Sequence, residues 1–316
     1  MIRKSILILC LPVIIAVTLC TGRHESKVIV FHAGSLAVPM SRLAAAYEAD
    51  NPGVRIITEA AGSLVSARKI TELRKPCDIM ASADYVIIDE LLIPEFADWN
   101  LGFATNEIVI AYKNSSRFSD ETDSLNWYEI LLRKDVFFGR SDPDSDPCGY
   151  RTLMMLQLAE KYYGIPGLKE SFENKDRSFI RPKEIDLTAM LEAGAIDYVF
   201  QYRSVAVQHG LDFIELPAEI NLGDTDFSEN YNSVYQEVIG SRPGETLTMK
   251  GDFIMYGITI LRDAPNSEEA ERFLAFIAGS RGRDILRETG QNPISPPLIT
   301  GRKPLPSSVI NAINSN

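Results

Sequence analysis

The residues of this chain best suited to chemistry are serines and acids at the entrances of helical stretches. His32-Ala33-Gly34-Ser35-Leu36 follows an apolar run and opens a helical pattern, and Ala60-Ala61-Gly62-Ser63-Leu64 repeats the arrangement. A serine at a helix mouth offers its hydroxyl beside outward-pointing backbone N–H groups, where the helix dipole favours negative charge. One such unit reads as an ordinary N-cap. Two in tandem within one lobe bring anion binding level with that reading.

Ser141-Asp142-Pro143-Asp144-Ser145-Asp146-Pro147-Cys148-Gly149-Tyr150-Arg151 is the densest polar stretch. Asp142, Asp144 and Asp146 alternate as calcium-loop ligands do, but Pro147 stands where such a loop needs glycine and Leu153 where it needs its last glutamate. The plainer reading is a solvated turn with an Asp-Pro helix start. Arg181-Pro182-Lys183-Glu184-Ile185-Asp186-Leu187 also reads as a helix entrance, with Glu184 near the dipole-positive end. A serine hydrolase has little support: there is no Gly-x-Ser-x-Gly elbow, and the histidines are His24, His32 and His209.

These residues need scaffolding. Short β-rich runs alternate with helical patterns, which predicts an α/β fold with mostly parallel sheets. Strands are expected at 27–31, 54–58 and 78–81, with helices after the two Gly-Ser units; 107–113 starts a second sheet, and the first crossing falls near Thr105. The second lobe should hold a strand at 136–138, helices at 149–163 and 187–193, and strands at 198–202 and 211–216. From Asp252 a strand resumes, followed by a helix capped by Asn266 with Glu269 three residues on. A chain that leaves a lobe, builds another and returns leaves a ligand cleft between the two.

Residues 1–20 read separately: Arg3 and Lys4 precede an apolar run from Ile6 to Leu19 that ends at Cys20, the grammar of an export signal. Cleavage there would let Cys20 carry a lipid, although Leu19 stands where a small residue is usual; the alternative is an uncleaved anchor helix. Without residues 1–20 the chain has 30 basic and 43 acidic residues, a formal charge of −13, which argues against nucleic acid as a partner. Cys77 and Cys148 remain, and are expected as buried, unbridged thiols.

Taken together, 32–36, Ala61-Gly62-Ser63-Leu64-Val65-Ser66-Ala67-Arg68-Lys69-Ile70, Asp146 to Arg151, Arg181 to Glu184 and Tyr202-Arg203-Ser204-Val205-Ala206-Val207-Gln208-His209 resemble the molybdate/tungstate-binding proteins of ABC importers, particularly the tungstate-type branch. The resemblance covers nearly all of the chain after the export signal. It implies an α/β, two-lobed periplasmic-binding-protein-like (type II) fold; the strand and helix pattern puts lobe I at 27–105, lobe II at 106–216 and a return to lobe I over 217–316, with the lobe of the polar stretch 217–250 open. It implies oxygen contacts from Ser35, Ser63, the backbone N–H of Cys148 and Tyr202, and metal contacts from the carboxylates of Asp146 and Glu184. Gln201 departs from that branch, which often carries an acid there. The resemblance further implies a monomeric binding protein rather than an enzyme, with no cofactor, a molybdate or tungstate ligand, an ABC permease as partner, and a membrane tether at residue 20.

Overall fold

The computed structural model describes residues 26–315 apart from 176 and 241–243, so the expected export signal and Cys20 lie outside the described residues. The chain begins with β1 (Ser26–His32), α1 (Ala37–Asp50), β2 (Val54–Ala60), α2 (Ser63–Thr71), β3 (Ile79–Ser82), α3 (Tyr85–Leu91) and β4 (Trp99–Asn106). The β-branched and aromatic run Val28-Ile29-Val30-Phe31 suits a strand covered on both faces. β1 pairs in parallel with β2 and β3, so His32, Ala60 and Ala81 lie side by side at one sheet edge.

One residue, Glu107, separates β4 from β5 (Ile108–Tyr112), which belongs to a different sheet. After α4 (Trp127–Leu131) come β6 (Phe138–Ser141), α5 (Pro147–Tyr163), α6 (Leu168–Lys175), β7 (Ile180–Arg181), α7 (Glu184–Glu192), β8 (Tyr198–Tyr202), α8 (Arg203–Gln208) and β9 (Asp212–Glu215). Here β6 is parallel to both β7 and β8. Trp127, Phe138, Phe172 and Phe200 are fully buried together at the heart of this lobe. Each such side chain contributes about 1.5–3 kcal/mol on burial.

The chain then forms α9 (Ser228–Tyr231) and a hairpin of β10 (Tyr235–Ile239) and β11 (Thr246–Lys250), a two-stranded sheet of its own. The hairpin leans on α5, where Gln157 Nε2 donates to Tyr235 O at 2.8 Å. β12 (Ile254–Ile260), α10 (Ser267–Ala278), α11 (Ser280–Glu288), β13 (Asn292–Gly301) and α12 (Ser307–Asn314) complete the first lobe. Its sheet runs β13-β4-β12-β3-β1-β2; the second runs β7-β6-β8-β5-β9.

Both sheets are mixed, where the sequence pattern suggested mostly parallel ones. β12 is antiparallel to β3 and β4, and β5 is antiparallel to β8 and β9. The reason is connectivity. The βαβ strands finish at the edge facing the other lobe, whereas β5 and β12 arrive from that lobe and start there, so they run the opposite way.

Helix α10 begins directly after Asn266, but the expected capping box does not form. Asn266 Nδ2 donates to Lys27 O at 2.6 Å and the Asn266 N–H to Asp78 Oδ1 at 2.6 Å. Glu269 accepts from Tyr47 Oη at 2.6 Å and Arg272 Nη2 at 2.7 Å. The spacing serves to staple the helix to lobe I, alongside buried Phe273, Leu274 and Ile277. Cys77 and Cys148 are unbridged and buried as expected, and burial pushes the Cys77 thiol up to about 12.

Candidate functional site

The parallel strands of each lobe end facing the other lobe, the usual place for a ligand in α/β sheets. In lobe I the two Gly-Ser units follow β1 and β2. Neither serine caps its helix: Ser35 lies inside a single 3₁₀ turn, Gly34–Leu36, ahead of α1, and Ser63 is the first residue of α2 with Gly62 at the cap position. Ser35 is 1% exposed and its Oγ has no hydrogen-bond partner. Ser63 Oγ accepts from the Ala83 N–H at 3.0 Å, which leaves its own O–H to donate.

In lobe II, β6, β7 and β8 end together and lead into the loop before α5, the entrance of α7 and the start of α8. Asp146 caps α5: its Oδ1 accepts from the Cys148 N–H at 3.1 Å, and Pro147 occupies the first helical turn, where its missing N–H is harmless. The Cys148 N–H expected for the anion is therefore directed at the Asp146 carboxylate. Asp146 is 1% exposed. Glu184 is the first residue of α7.

The calcium reading of the 141–151 loop does not hold. Asp142 accepts from Asp144 N at 3.1 Å and from Ser145 Oγ at 2.9 Å, whereas Asp144 Oδ1 accepts from Ile239 N at 2.9 Å. The three acids serve different partners, and among the described residues no group of three or more His, Cys, Asp or Glu is arranged to hold a metal cation.

Tyr202 ends β8, fully buried, with no partner for its hydroxyl. Burial first, then the nearby Cys148, Tyr256 and Asp146, raise it well above the ordinary tyrosine value, so it stays a neutral O–H donor. Ser66 and Ser141 also bury hydroxyls without partners. Native proteins rarely leave such groups unpaired.

The lobes meet over these residues. A Cβ on Gly62 would stand 2.0 Å from Ser145 O and 3.2 Å from Pro182 O, so the Ser63 unit abuts both the Asp146 loop and the approach to Glu184. Helix α7 packs against the 3₁₀ turn that carries Ser35. The N-termini of α2, α5 and α7 thus converge, which favours an anion. Across the seam, Arg68 Nη1 donates to Asp144 O at 2.9 Å and Arg68 Nε to Gly240 O at 3.2 Å.

A buried ion pair joins the lobes, and the motif reading did not anticipate it. Asp84, the cap of α3, accepts from Arg151 Nε at 3.0 Å and Tyr150 Oη at 2.8 Å; Arg151 Nη1 also reaches Asp252 O at 2.5 Å. Asp84 and Arg151 side chains are 0% and 1% exposed. The available signal was position: Asp84 follows β3 as Ser35 and Ser63 follow β1 and β2.

The profile of the bacterial extracellular solute-binding protein family matches residues 28–292. The chain is similar to the molybdate/tungstate-binding protein WtpA of Pyrococcus abyssi, 43% identical over 311 residues that cover 90% of this chain and 89% of that one. A solute-binding protein of Petrotoga mobilis is 47% identical over 272 residues, covering 86% and 85%. Among solved structures, the periplasmic molybdate-binding protein of Azotobacter vinelandii superposes with a TM-score of 0.62 at 15% identity, over 84% of this chain and 98% of that one. The sulfate-binding protein SubI of Mycobacterium tuberculosis gives 0.63 at 13% identity, over 86% and 88%. These two likenesses carry the fold alone: two α/β lobes of the periplasmic-binding-protein type with a ligand cleft between them. On the profile match and the sequence identity of its relatives, the chain belongs to the bacterial extracellular solute-binding protein family.

Proposed function

We propose that this protein captures molybdate or tungstate outside the cytoplasmic membrane and delivers it to an ABC importer permease. One observation carries the reading: buried hydroxyls without partners, Ser35 Oγ from lobe I and Tyr202 Oη from lobe II, occur in a closed interlobe seam that also buries the Asp146 carboxylate. Hydroxyls and helix N-termini suit the oxygens of a tetrahedral dianion. A carboxylate does not, unless it bonds the central atom.

Molybdenum and tungsten at high valence accept hard oxygen ligands and expand from four towards six coordination. Asp146 and Glu184 would supply those oxygens, while Ser35, Ser63, Tyr202 and the N–H groups at the start of α5, Cys148 among them, hold the oxo groups. When Asp146 bonds the metal, its grip on the Cys148 N–H loosens and that donor turns to the anion. Sulfur and phosphorus cannot expand in this way, so the same carboxylates repel sulfate and phosphate. The similarity to a WtpA protein supports the ligand class.

In this reading lobe I is 27–105 and lobe II is 106–216; the hairpin at 235–250 leans on α5 of lobe II, and the chain is back in lobe I from β12. The protein works as a monomer without cofactor or catalytic step, held at the outer face of the membrane by a lipid on Cys20. Closure around the anion creates the form that the permease recognises. Calorimetric titration of the full chain with tungstate, molybdate, sulfate and phosphate tests it. The first two should bind with a Kd of about 1 μM or tighter, roughly −8 kcal/mol. Comparable binding of sulfate or phosphate, or no binding at all, would overturn the reading.

A further inference from the structure

Three backbone carbonyls from the far side of the seam converge on one guanidinium. Arg68 stands in the second turn of α2, five residues after Ser63, and its half-buried side chain reaches out of lobe I. Nη1 donates to Asp144 O at 2.9 Å, Nε to Gly240 O at 3.2 Å and Nη2 to Ile239 O. The acceptors are themselves joined, since Asp144 Oδ1 accepts from the Ile239 N–H at 2.9 Å.

All of these acceptors belong with lobe II. Asp144 lies in the loop between β6 and α5, two residues before Asp146, and the β10–β11 hairpin is anchored on α5, where Gln157 Nε2 donates to Tyr235 O at 2.8 Å and Lys161 Nζ to Ser233 O at 3.1 Å. Parting the lobes would carry α2 away from both at once. One helix therefore holds a proposed anion contact at its first residue and the guanidinium fork at its sixth, and the fork grips the loop that bears the Asp146 carboxylate. The Asp84–Arg151 pair crosses too, but it is fully buried beside Asp252, where the chain passes back to lobe I, so it sits at the pivot.

We infer that Arg68 is a positioning residue for closure: its guanidinium fork locks lobe I onto the Asp144 loop and the hairpin, and so sets how fast the anion leaves. The inference rests on the reading of the cleft as the oxyanion site. A planar guanidinium suits the place, because its fixed N–H donors reach separate carbonyls together, whereas an ammonium on a flexible stem meets them one at a time. Neutral acceptors keep the bonds breakable: no carboxylate is stranded when the lobes part, so the latch slows release without forbidding it. Contacts completed after encounter act on dissociation and leave association alone.

Stopped-flow kinetics of tungstate binding to the full chain test the latch. Arg68→Lys keeps the charge and loses the fork; it should speed dissociation about fivefold while association stays within about twofold. Arg68→Met should speed dissociation about tenfold or more. Lys69→Met is the control: Lys69, next on α2, pairs with Glu59 inside lobe I at 2.5 Å, so its loss should leave dissociation unchanged. Wild-type dissociation in Arg68→Lys, or an equal acceleration in Lys69→Met, would show that only the charge of the helix matters and would overturn the latch. A second pair of variants spares Arg68 and decides if its variants do not fold. Asp144→Ala frees Ile239 from the loop and should speed dissociation about threefold or more, whereas Asp144→Asn keeps an acceptor for the Ile239 N–H and should release as wild type does. Equal rates in these two would refute the inference. A wild-type chain that binds neither tungstate nor molybdate would remove the functional reading and the latch with it, whereas tight wild-type binding with unaltered release in the Arg68 variants removes the latch alone.

Discussion

Replacing Tyr202 by Phe deletes one oxygen from a fully buried position and leaves the ring in place. That oxygen has no protein partner, so removing it should cost the fold nothing, or relieve it by up to about 1–3 kcal/mol. Ligand binding moves the other way. A hydrogen bond to a charged acceptor is worth about 1.5–3 kcal/mol, so Tyr202→Phe should weaken tungstate binding by about 10- to 150-fold. Thermal melting and calorimetric titration of the same preparation read both signs. The unliganded variant should melt no lower than wild type, since each kcal/mol shifts the midpoint by about 2–4 °C in a chain of 150–250 residues and somewhat less here. Unchanged affinity, or a clear drop in the unliganded midpoint, would refute the reasoning, because either would show that the hydroxyl is satisfied within the protein.

Three further substitutions probe the seam and the frame. Gly62→Ala places a methyl 2.0 Å from the Ser145 carbonyl oxygen, a backbone atom that cannot swing away; overpacking of about 1–3 kcal/mol should hold the lobes apart and weaken binding roughly 5- to 150-fold while the unliganded melting point stays put. Small-angle scattering should find no compaction of that variant on adding tungstate at concentrations that compact wild type. Asp84→Ala strands the buried Arg151 guanidinium and should destabilise the fold by about 3–5 kcal/mol, read by urea denaturation. Glu269→Gln tests pH dependence: the Arg272 guanidinium beside it, with Tyr47, holds the Glu269 carboxyl below its ordinary value of 4.5, against the opposing effect of burial. Its contribution is present above that value and lost as pH falls through the depressed one, so the variant should lose about 1 kcal/mol at neutral pH and match wild type in strong acid.

Much of this architecture is legible in the chain because local chemistry and tertiary role agree. The β-branched run before His32 and the Gly-Ser units at 34–35 and 62–63 mark where parallel strands end and helices begin, and the structure puts them there. Asp146-Pro147 marks the start of α5 for the same reason: an acceptor for the first N–H groups, then a residue that lacks one. Other features depend on partners far away in sequence. Nothing local says that Asn266 and Glu269 will turn to Lys27, Asp78, Tyr47 and Arg272 rather than to each other. The Asp84–Arg151 pair and the carbonyls around Arg68 are visible only once two lobes are brought together. The mixed sheets follow from which strands cross between lobes, a fact about connectivity that hydrophobic periodicity does not encode.

The central claim is that the cleft bonds the metal of its oxyanion through carboxylate, and X-ray absorption at the tungsten edge of the loaded protein tests it most directly. The account predicts a shell of about six oxygens, the oxo groups plus longer carboxylate bonds, that loses a long bond in Asp146→Ala. A tetrahedral shell of four, identical in wild type and Asp146→Ala, would contradict it.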